Sequence, residues 1–421
     1  MMIKHIKLDN KEKLVHYAGL AVIFAAPVLF YIFKHSAIAF LAFIASLLVL
    51  YLVKLDGRLK LGMAILDLLL VVPMVGLVNT YYLDVITQVG IYSILAIGLN
   101  VVVGFSGLLN LGYAGFYAAG AYIYAIFASS QASNFMANGT FPISGNWFWL
   151  FLLISMGVSA IIGVLIGLPV LRVRGDYLAI ITLGFGEIIR IVLNSMDKPI
   201  NITNGPKGIG PVSPPELFGI RLDAAIHYYF IVLLLLVLTI VFSNRLNNSR
   251  IGRAWAAIRE NEIAANTMGI PLVQMKLLAF AIGAALAGMM GVIFAAKQTF
   301  VDPSSFGFME SIGILTMVIM GGMGSISGVI IGAAAVIILQ LQLLKELSNF
   351  LGNLSLSGIL YIPSQLDPAK YERLVFGLIL VLMCIFRPQG ILPAKRSVDF
   401  IKKQYRKFAK TEQKAEIRIN E

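Results

Sequence analysis

Residues 227–243 read HYYFIVLLLLVLTIVFS, a run without a single Lys, Arg, Asp or Glu. A helix of this length crosses most of the ~30 Å hydrocarbon layer of a bilayer. Because no water at that depth can bond to the backbone, a chain that spans a membrane forms either helices or a closed β-barrel. The run shows no alternation of apolar and polar residues, so it predicts a transmembrane helix.

The same pattern recurs along the chain, which has 421 residues, 59% of them hydrophobic and 13% charged. A soluble domain has about a quarter of its residues charged. Further apolar runs lie at 15–33, 36–53, 61–79, 85–104, 107–128, 148–171, 176–195, 276–296, 310–322, 325–345 and 372–387. We therefore predict an all-α, polytopic integral membrane protein with about 10–12 transmembrane helices. The runs joined at MGGMGS (320–325) are expected to form a tilted or broken pair.

Positive charge predicts the orientation of these helices. Most of the 33 Lys and Arg residues fall in five segments, at 4–13, 54–60, 172–174, 245–276 and 387–418. Since Lys and Arg concentrate on the cytoplasmic side, both termini and segment 244–275 are predicted to be cytoplasmic. The first apolar run is followed at once by another, so it is read as a retained spanning helix, not a signal peptide. The basic tail is expected to lie near anionic lipid headgroups.

Segment 252–271, GRAWAAIRENEIAANTMGIP, is too polar to cross a bilayer and is patterned like a helix. Residues on one helical face recur at steps of three and four: Trp255, Ile258, Glu262, Ala265 and Gly269. Gly269 and Pro271 are typical of a helix end. The pattern predicts a short helix on the cytoplasmic face, lying along the membrane. By spacing alone, it also fits an interfacial amphipathic helix anchored by Trp255.

The sequence ENEIAANTMGIP (260–271) resembles the EAA-type loop of ABC importer permeases. The matching positions are Glu262, Ala264, Ala265 and Gly269, with Ile263 where the strict motif has alanine. The resemblance implies a coupling helix that docks in a groove on a separate ATP-binding subunit. We expect Ala264 and Ala265 to permit close approach to that subunit. The charged side chains of Arg253, Arg259 and Glu262 are expected to fix the register through charge-assisted hydrogen bonds.

Further segments resemble the LivM-type permeases of branched-chain amino acid importers. They are LNVVVGFSGLLNLGYAGFYAAGAY (99–122), GDYLAIITLGFGEIIRIVLNS (175–195), TNGPKGI (203–209), GRAWAAIRENEIAA (252–265), VDPSSFGFMESIGILTMVIMGGMGSISGVIIGA (301–333) and IFRPQGILP (385–393). The resemblance implies a permease domain over 85–393. It is preceded by an extension, 1–84, with about three spans, and followed by a basic tail, 394–421.

The same resemblance implies the setting of the protein. It implies a subunit of the bacterial inner membrane that carries branched-chain amino acids. Its expected partners are a LivH-type permease, two ABC ATP-binding subunits and a periplasmic solute-binding protein. We expect membrane lipid around it and no nucleic-acid partner.

Two further groups of residues are candidates for a role inside the membrane. Small residues let helices approach closely or bend, which predicts packing or hinge positions at Gly104, Gly107, Gly112, Gly115, Gly321, Gly322 and Gly324. Glu187 and Arg190 stand three residues apart, where they can form an ion pair. Charges within a span are expected to face the bundle interior or a watery path.

Several classes of protein are disfavoured. The chain has no GxxxxGK[ST] phosphate loop, no nucleophile arrangement and no metal-ligand spacing, which predicts no catalytic, cofactor-binding or metal-binding residue. If ATP drives the protein, partner subunits bind it. An importer of urea or short amides remains open. An ion-coupled secondary transporter would require intramembrane acids and an internal repeat, and acids within the spans are few.

Overall fold

The computed structural model describes residues 46, 62–63, 65–136, 141–170, 176–217, 219–356, 368–387 and 389–393. Within these residues, six helices are long and apolar enough to cross a bilayer. The predicted all-α, polytopic membrane architecture is confirmed. The expected span at 15–33, that at 36–53 apart from Ser46, most of the 1–84 extension and the 394–421 tail lie outside the described residues.

The helices, in chain order, are α1 Val72–Val78, α2 Thr80–Asn100, α3 Tyr113–Phe127, α4 Phe148–Val170, α5 Asp176–Ser195, α6 Ala225–Asn248, α7 Arg250–Glu260, α8 Glu262–Thr267, α9 Leu272–Gln298, α10 Phe308–Gly321, α11 Ile326–Ile338, α12 Leu344–Leu356 and α13 Glu372–Phe386. Single π-helical turns precede α1 (Asp67–Val71), extend α2 (Val101–Phe105) and join α11 to α12 (Leu339–Leu343). The strands of the described chain, β1 Glu216–Leu217 and β2 Ile220–Arg221, form one antiparallel hairpin.

The centre of the bundle is α9, which packs against α2, α3 and α4. Its glycines bring backbones into contact. A methyl group added to Gly120 of α3 would lie 2.1 Å from the Gly288 carbonyl oxygen, and one added to Gly291 would lie 2.3 Å from the Tyr117 carbonyl oxygen. Interfaces between membrane helices favour such small residues because close backbone approach increases van der Waals contact.

The predicted span over 107–128 is wrong in its first turn and a half, because α3 begins only at Tyr113. Gly107 has φ +74°, a left-handed conformation that favours glycine and interrupts a helix. The Asn110 side chain then accepts a hydrogen bond from the Gly112 N–H at 3.0 Å, closing a local turn. Gly107 and Gly112 therefore lie in a linker and not on a helix face.

The predicted break between 310–322 and 325–345 is confirmed. The antiparallel helices α10 and α11 are joined by a turn in which Gly322 and Gly324 have φ +116° and +87°. The segment 389–393 packs on this turn, and the N–H groups of Ile391 and Leu392 donate to the carbonyls of Met320 and Gly321 at 2.9 and 3.1 Å.

Candidate functional site

The segment resembling a coupling helix, residues 252–271, forms two helices and not the single helix predicted over 253–269. We call it the docking segment. Asn261 separates α7 from α8 with an extended backbone, φ −159° and ψ 109°. Its side chain accepts the Ala264 N–H at 3.0 Å and so caps α8, which stabilises a helix start by ~1 kcal/mol. Gly269, with φ +80°, ends α8. The single-helix prediction fails because an Asn side chain competes with the backbone for hydrogen bonds.

One face of the docking segment is fixed to its own chain. Trp255 is fully buried, and its Nε1–H donates to the Met275 carbonyl at 2.7 Å, which joins α7 to the start of α9. Ile258 and Ala265 are buried on the same side. Ala265 therefore supports the segment from within and is not available for the partner contact that the sequence predicts for it.

The acidic residue of the motif also has a partner within the chain. The Glu262 carboxylate lies 2.5 Å from Lys276 Nζ on α9. The Lys276 side chain is 6% exposed and that of Glu262 is 33% exposed. A buried ammonium group requires an ionic partner, so this pair holds α8 against α9.

The two arginines of the segment have different partners. Arg259 Nη1 donates to the Gly104 carbonyl in the π-helical turn that extends α2. Arg253 Nη1 donates to the Asn248 carbonyl at 3.1 Å, only five residues back along the chain. Arg259 thus joins the docking segment to the distant end of α2, whereas Arg253 contacts only the last residue of the preceding helix, α6.

The exposed side of the docking segment carries two large apolar side chains among polar ones. Ile263 is 70% exposed and Met268 is 82% exposed, and Ala264 and Gly269 are exposed beside them. Scattered apolar side chains are normal on a protein surface. Here, however, they lie on α8 or directly after its end, and the opposite face of α8 is fixed in place. This arrangement provides a firm apolar contact surface for a partner.

A second candidate region is a cleft between the start of α3, the start of α10 and the middle of α5. It is narrow and partly open at the surface, and its lining includes Gly112, Gly115, Gly186, Glu187, Phe308 and Ser311. The Ala114 N–H donates to Ser311 Oγ at 3.0 Å, and the Leu111 N–H donates to Thr182 Oγ1 at 3.1 Å. Side-chain hydroxyls thus satisfy backbone donors around the start of α3.

The position of the cleft follows from helix lengths. With 15 and 14 residues, α3 and α10 are each only about 21–22 Å long, too short to cross a bilayer core. Gly112 lies beside Thr182, six positions into α5, where an added methyl would be 1.9 Å from the Thr182 carbonyl oxygen. The two helix starts therefore meet inside the bundle. Each carries the partial positive charge of a helix N-terminus.

The Glu187–Arg190 pair lies beside the cleft. Glu187 Oε2 is 2.7 Å from Arg190 Nε, and the two side chains are 30% and 35% exposed. The pair links two turns of α5 and does not lock one helix to another. Because charges facing lipid are costly, this face of α5 is expected to border protein or water.

Four of the glycines lie where α2 meets the α10–α11 turn. Asn100, at the end of α2, accepts the Gly324 N–H at 2.8 Å. A methyl on Gly104 would lie 1.9 Å from Asn100 Oδ1 and 2.5 Å from the Gly324 nitrogen. A methyl on Gly321 would lie 2.3 Å from the Gly328 carbonyl oxygen, and one on Gly322 would lie 2.6 Å from the Leu392 carbonyl oxygen. These contacts leave no space for a side chain.

Comparison with known proteins assigns the family. The family described as "Branched-chain amino acid transport system / permease component" matches residues 81–384. The chain belongs to this permease family.

The relatives of the permease include both subunit types. It is 41% identical over 336 residues to the LivM high-affinity branched-chain amino acid transport permease of Salmonella typhimurium strain LT2, covering 74% of this chain and 70% of that protein. It is 40% identical over 352 residues to LivM of Escherichia coli K12, covering 78% and 74%. It is 25% identical over 314 residues to LivH of Salmonella typhimurium, covering 72% and 91%. No solved structure matches the chain.

Sequence reasoning missed two functional candidates of this permease, Asn100 and Lys276. Each is a polar residue buried at the end of a spanning helix. A single polar residue that ends an apolar run was the available signal, but its partner, Gly324 or Glu262, lies on another element. Among the residues that the structure describes, no three His, Cys, Asp or Glu side chains are grouped so that they could hold a metal ion.

Proposed function

We propose that this permease is the transmembrane subunit of an ATP-driven importer of branched-chain amino acids, and that separate subunits bind and hydrolyse ATP. One observation carries the coupling part of the proposal: Ile263 on α8 and Met268 directly after it are exposed, while the opposite face of α8 is fixed to the spans. The names of the relatives support the substrate class and favour it over urea or short amides.

The docking segment is suited to act as a lever. Three links join it to the spans: Trp255 to the Met275 carbonyl, Glu262 to Lys276 and Arg259 to the Gly104 carbonyl. An ATP-binding subunit that binds Ile263 and Met268 would move the docking segment and the attached spans together, since movement of the segment alone would break these three contacts. Rigid-body movement of this kind is a common route by which closure of one subunit opens another.

The residues that line the cleft support an apolar zwitterion as the transported substrate. Its walls include Leu183 and Phe306, which suit an aliphatic side chain, and Glu187, which would exchange Arg190 for an ammonium group. The partial positive charge of the two helix starts favours a carboxylate, which would replace Ser311 as the acceptor of the Ala114 N–H. In this conformation the cleft is narrow, so passage requires the helix starts to separate.

The proposed assembly contains a LivH-type permease, two ATP-binding subunits and a periplasmic solute-binding protein. Both termini and the docking segment lie in the cytoplasm and the protein resides in the inner membrane. The clustering of Lys and Arg supports this orientation. The likeness to both LivM and LivH supports a pair of permeases. The partly exposed ion pair on α5 supports a protein or aqueous neighbour for that helix.

Uptake of labelled leucine by the complete complex in liposomes tests the transport function. We expect uptake with ATP and binding protein, competition by isoleucine and valine, and no uptake with a proton or sodium gradient alone. Uptake driven by a gradient without ATP would refute the proposal.

Co-purification of the ATP-binding subunits tests the docking surface. Met268→Glu places a charge on the exposed apolar face, and we expect it to abolish co-purification. The matched control is Met136→Glu, at an exposed methionine outside the docking segment, which should leave co-purification intact. Undiminished co-purification with Met268→Glu would remove the docking surface from the proposal.

A further inference from the structure

We propose that Arg259 is a positioning residue that transmits movement of the docking segment to the α10–α11 hairpin and, through α10, to the cleft. This inference rests on the proposed function. It assigns to one side chain the connection between the subunit that hydrolyses ATP and the helix start that borders the cleft.

The first step is the contact of Arg259 with the end of α2. Its guanidinium group donates to the Gly104 carbonyl, which belongs to the π-helical turn Val101–Phe105. The following N–H groups do not continue the helix, since the Leu108 N–H donates back to the Val102 carbonyl at 3.1 Å. Single π-helical turns within helices occur frequently at functional sites.

The second step is the packing of the arginine stem. A methyl on Gly107 would lie 2.9 Å from Arg259 Cγ and 3.5 Å from Arg259 Cα. The end of α7 is therefore seated on the segment 104–107 through both the polar tip and the aliphatic stem of one side chain. A displacement of α7 toward α2 presses the Arg259 stem against the Gly107 backbone, because glycine contributes no side chain that could move aside at this contact.

The third step is the contact of the α10–α11 turn with Gly104. Here the Asn100 side chain accepts the Gly324 N–H, and a methyl on Gly104 would lie 2.5 Å from the Gly324 nitrogen. Arg259 and the α10–α11 turn thus contact the same residue from two directions. Gly104 has no side chain to deform. A shift of its backbone therefore either moves the α10–α11 turn or breaks the hydrogen bond from the Gly324 N–H to the Asn100 side chain.

The last step is α10 itself. It runs from the turn at Gly322 to Phe308 and Ser311, which line the cleft. A helix of 14 residues carries a displacement over about 21 Å. At its far end the Ser311 hydroxyl accepts the Ala114 N–H, so movement of α10 also acts on the start of α3.

Variants of Arg259 in the complete importer, reconstituted in liposomes with its binding protein, test this inference. For each variant we would measure assembly, ATP hydrolysis and leucine uptake. In Arg259→Gln we expect normal assembly and hydrolysis but about a tenfold fall in leucine taken up per ATP, because a hydrogen bond from a charged group is lost. Arg259→Lys, which keeps one charged donor, should recover part of the ratio.

The matched control is Arg250→Gln, since Arg250 is exposed on the same helix outside the docking segment. It should keep the wild-type ratio of uptake to hydrolysis. An unchanged ratio in Arg259→Gln would overturn the inference, and so would loss of the ATP-binding subunits, which would make Arg259 a docking residue. Failure of the proposed function itself would appear differently, as wild-type uptake that does not require ATP.

A double variant tests whether Arg259 and Asn100 act through one connection. If they do, Arg259→Gln combined with Asn100→Ala should lower uptake per ATP no further than the more severe single variant. Falls that multiply would show independent effects and would overturn the inference.

Discussion

α9 and α5 were both predicted as spans from their apolar length, yet they differ greatly in how much of each helix is buried. In α9, 67% of the most apolar 18-residue window is buried, whereas in α5 the figure is 17%. α9 is the central helix of the bundle, and α5 borders the cleft at its edge. Hydropathy therefore identifies a helix that crosses the membrane but does not tell which neighbour it has.

The two helices also use their glycines and charges differently. Gly291 of α9 has backbone atoms of α3 within 2.4 Å of the position a methyl would take, whereas Gly184 of α5 faces open space. The charged Lys276 of α9 is buried and bonded to another helix. The pair on α5, Glu187 and Arg190, is partly exposed and bonded within its own helix. Four predictions test this contrast, beginning with the largest expected effect.

Gly291→Leu should prevent correct packing of α9 against α3. The added side chain would overlap backbone, which cannot move aside as a flexible side chain can, so the cost should exceed the ~1–3 kcal/mol typical of overpacking. Recovery of monodisperse protein in detergent would measure it. The control is Gly184→Leu, which should be recovered like the wild type. Equal recovery of both variants would contradict the difference in packing between Gly291 of α9 and Gly184 of α5.

Glu262→Gln should destabilise the protein more than Lys276→Met. The first change leaves a buried ammonium without its ionic partner, at roughly 2 kcal/mol, below the ~3–5 kcal/mol for a fully buried pair because Glu262 is partly exposed. The second removes the buried charge and leaves a carboxylate that water can reach. Thermal unfolding in detergent compares the two Tm values. The reverse order would show that Lys276 is not buried in the folded protein.

Trp255→Phe should lower the free energy of unfolding by about 1 kcal/mol, because it removes the hydrogen bond to the Met275 carbonyl while keeping most of the apolar contact. The expected loss is small, since that carbonyl lies in the first turn of α9. Amide hydrogen exchange of α7 gives the measurement, with faster exchange in the variant. Exchange unchanged in α7 but faster in α5 would contradict the link to α9.

The smallest effect is expected from Glu187→Gln combined with Arg190→Gln. Both charges are removed together and both side chains are about one-third exposed, so stability should change by less than about 1 kcal/mol. The Tm in detergent tests this. A large loss of stability would show that the face of α5 is more enclosed than the structure has it. Leucine uptake of the same variant would separately show whether the pair borders the path.

The outcomes for individual residues show what a sequence pattern can predict. The break between α10 and α11 followed from Gly321, Gly322 and Gly324, because glycine backbone freedom acts locally. The single helix over 253–269 was wrong, because the capping by Asn261 competed with a periodicity that continued across it. The periodicity placed Ala265 correctly on one face with Trp255 and Ile258, but which way that face points depends on where α9 passes.

Apolar length, the absence of water in a bilayer and the local conformational preferences of Gly and Asn determined by themselves that this chain forms spanning helices, and roughly where most of those in the described residues lie. The motif segments further marked the family. Only the tertiary structure decided that Arg259 reaches Gly104, that Lys276 meets Glu262 and that two helix starts face one cleft. These contacts join residues far apart in the chain, and local sequence carries no information about which distant backbone will lie within a hydrogen bond's reach.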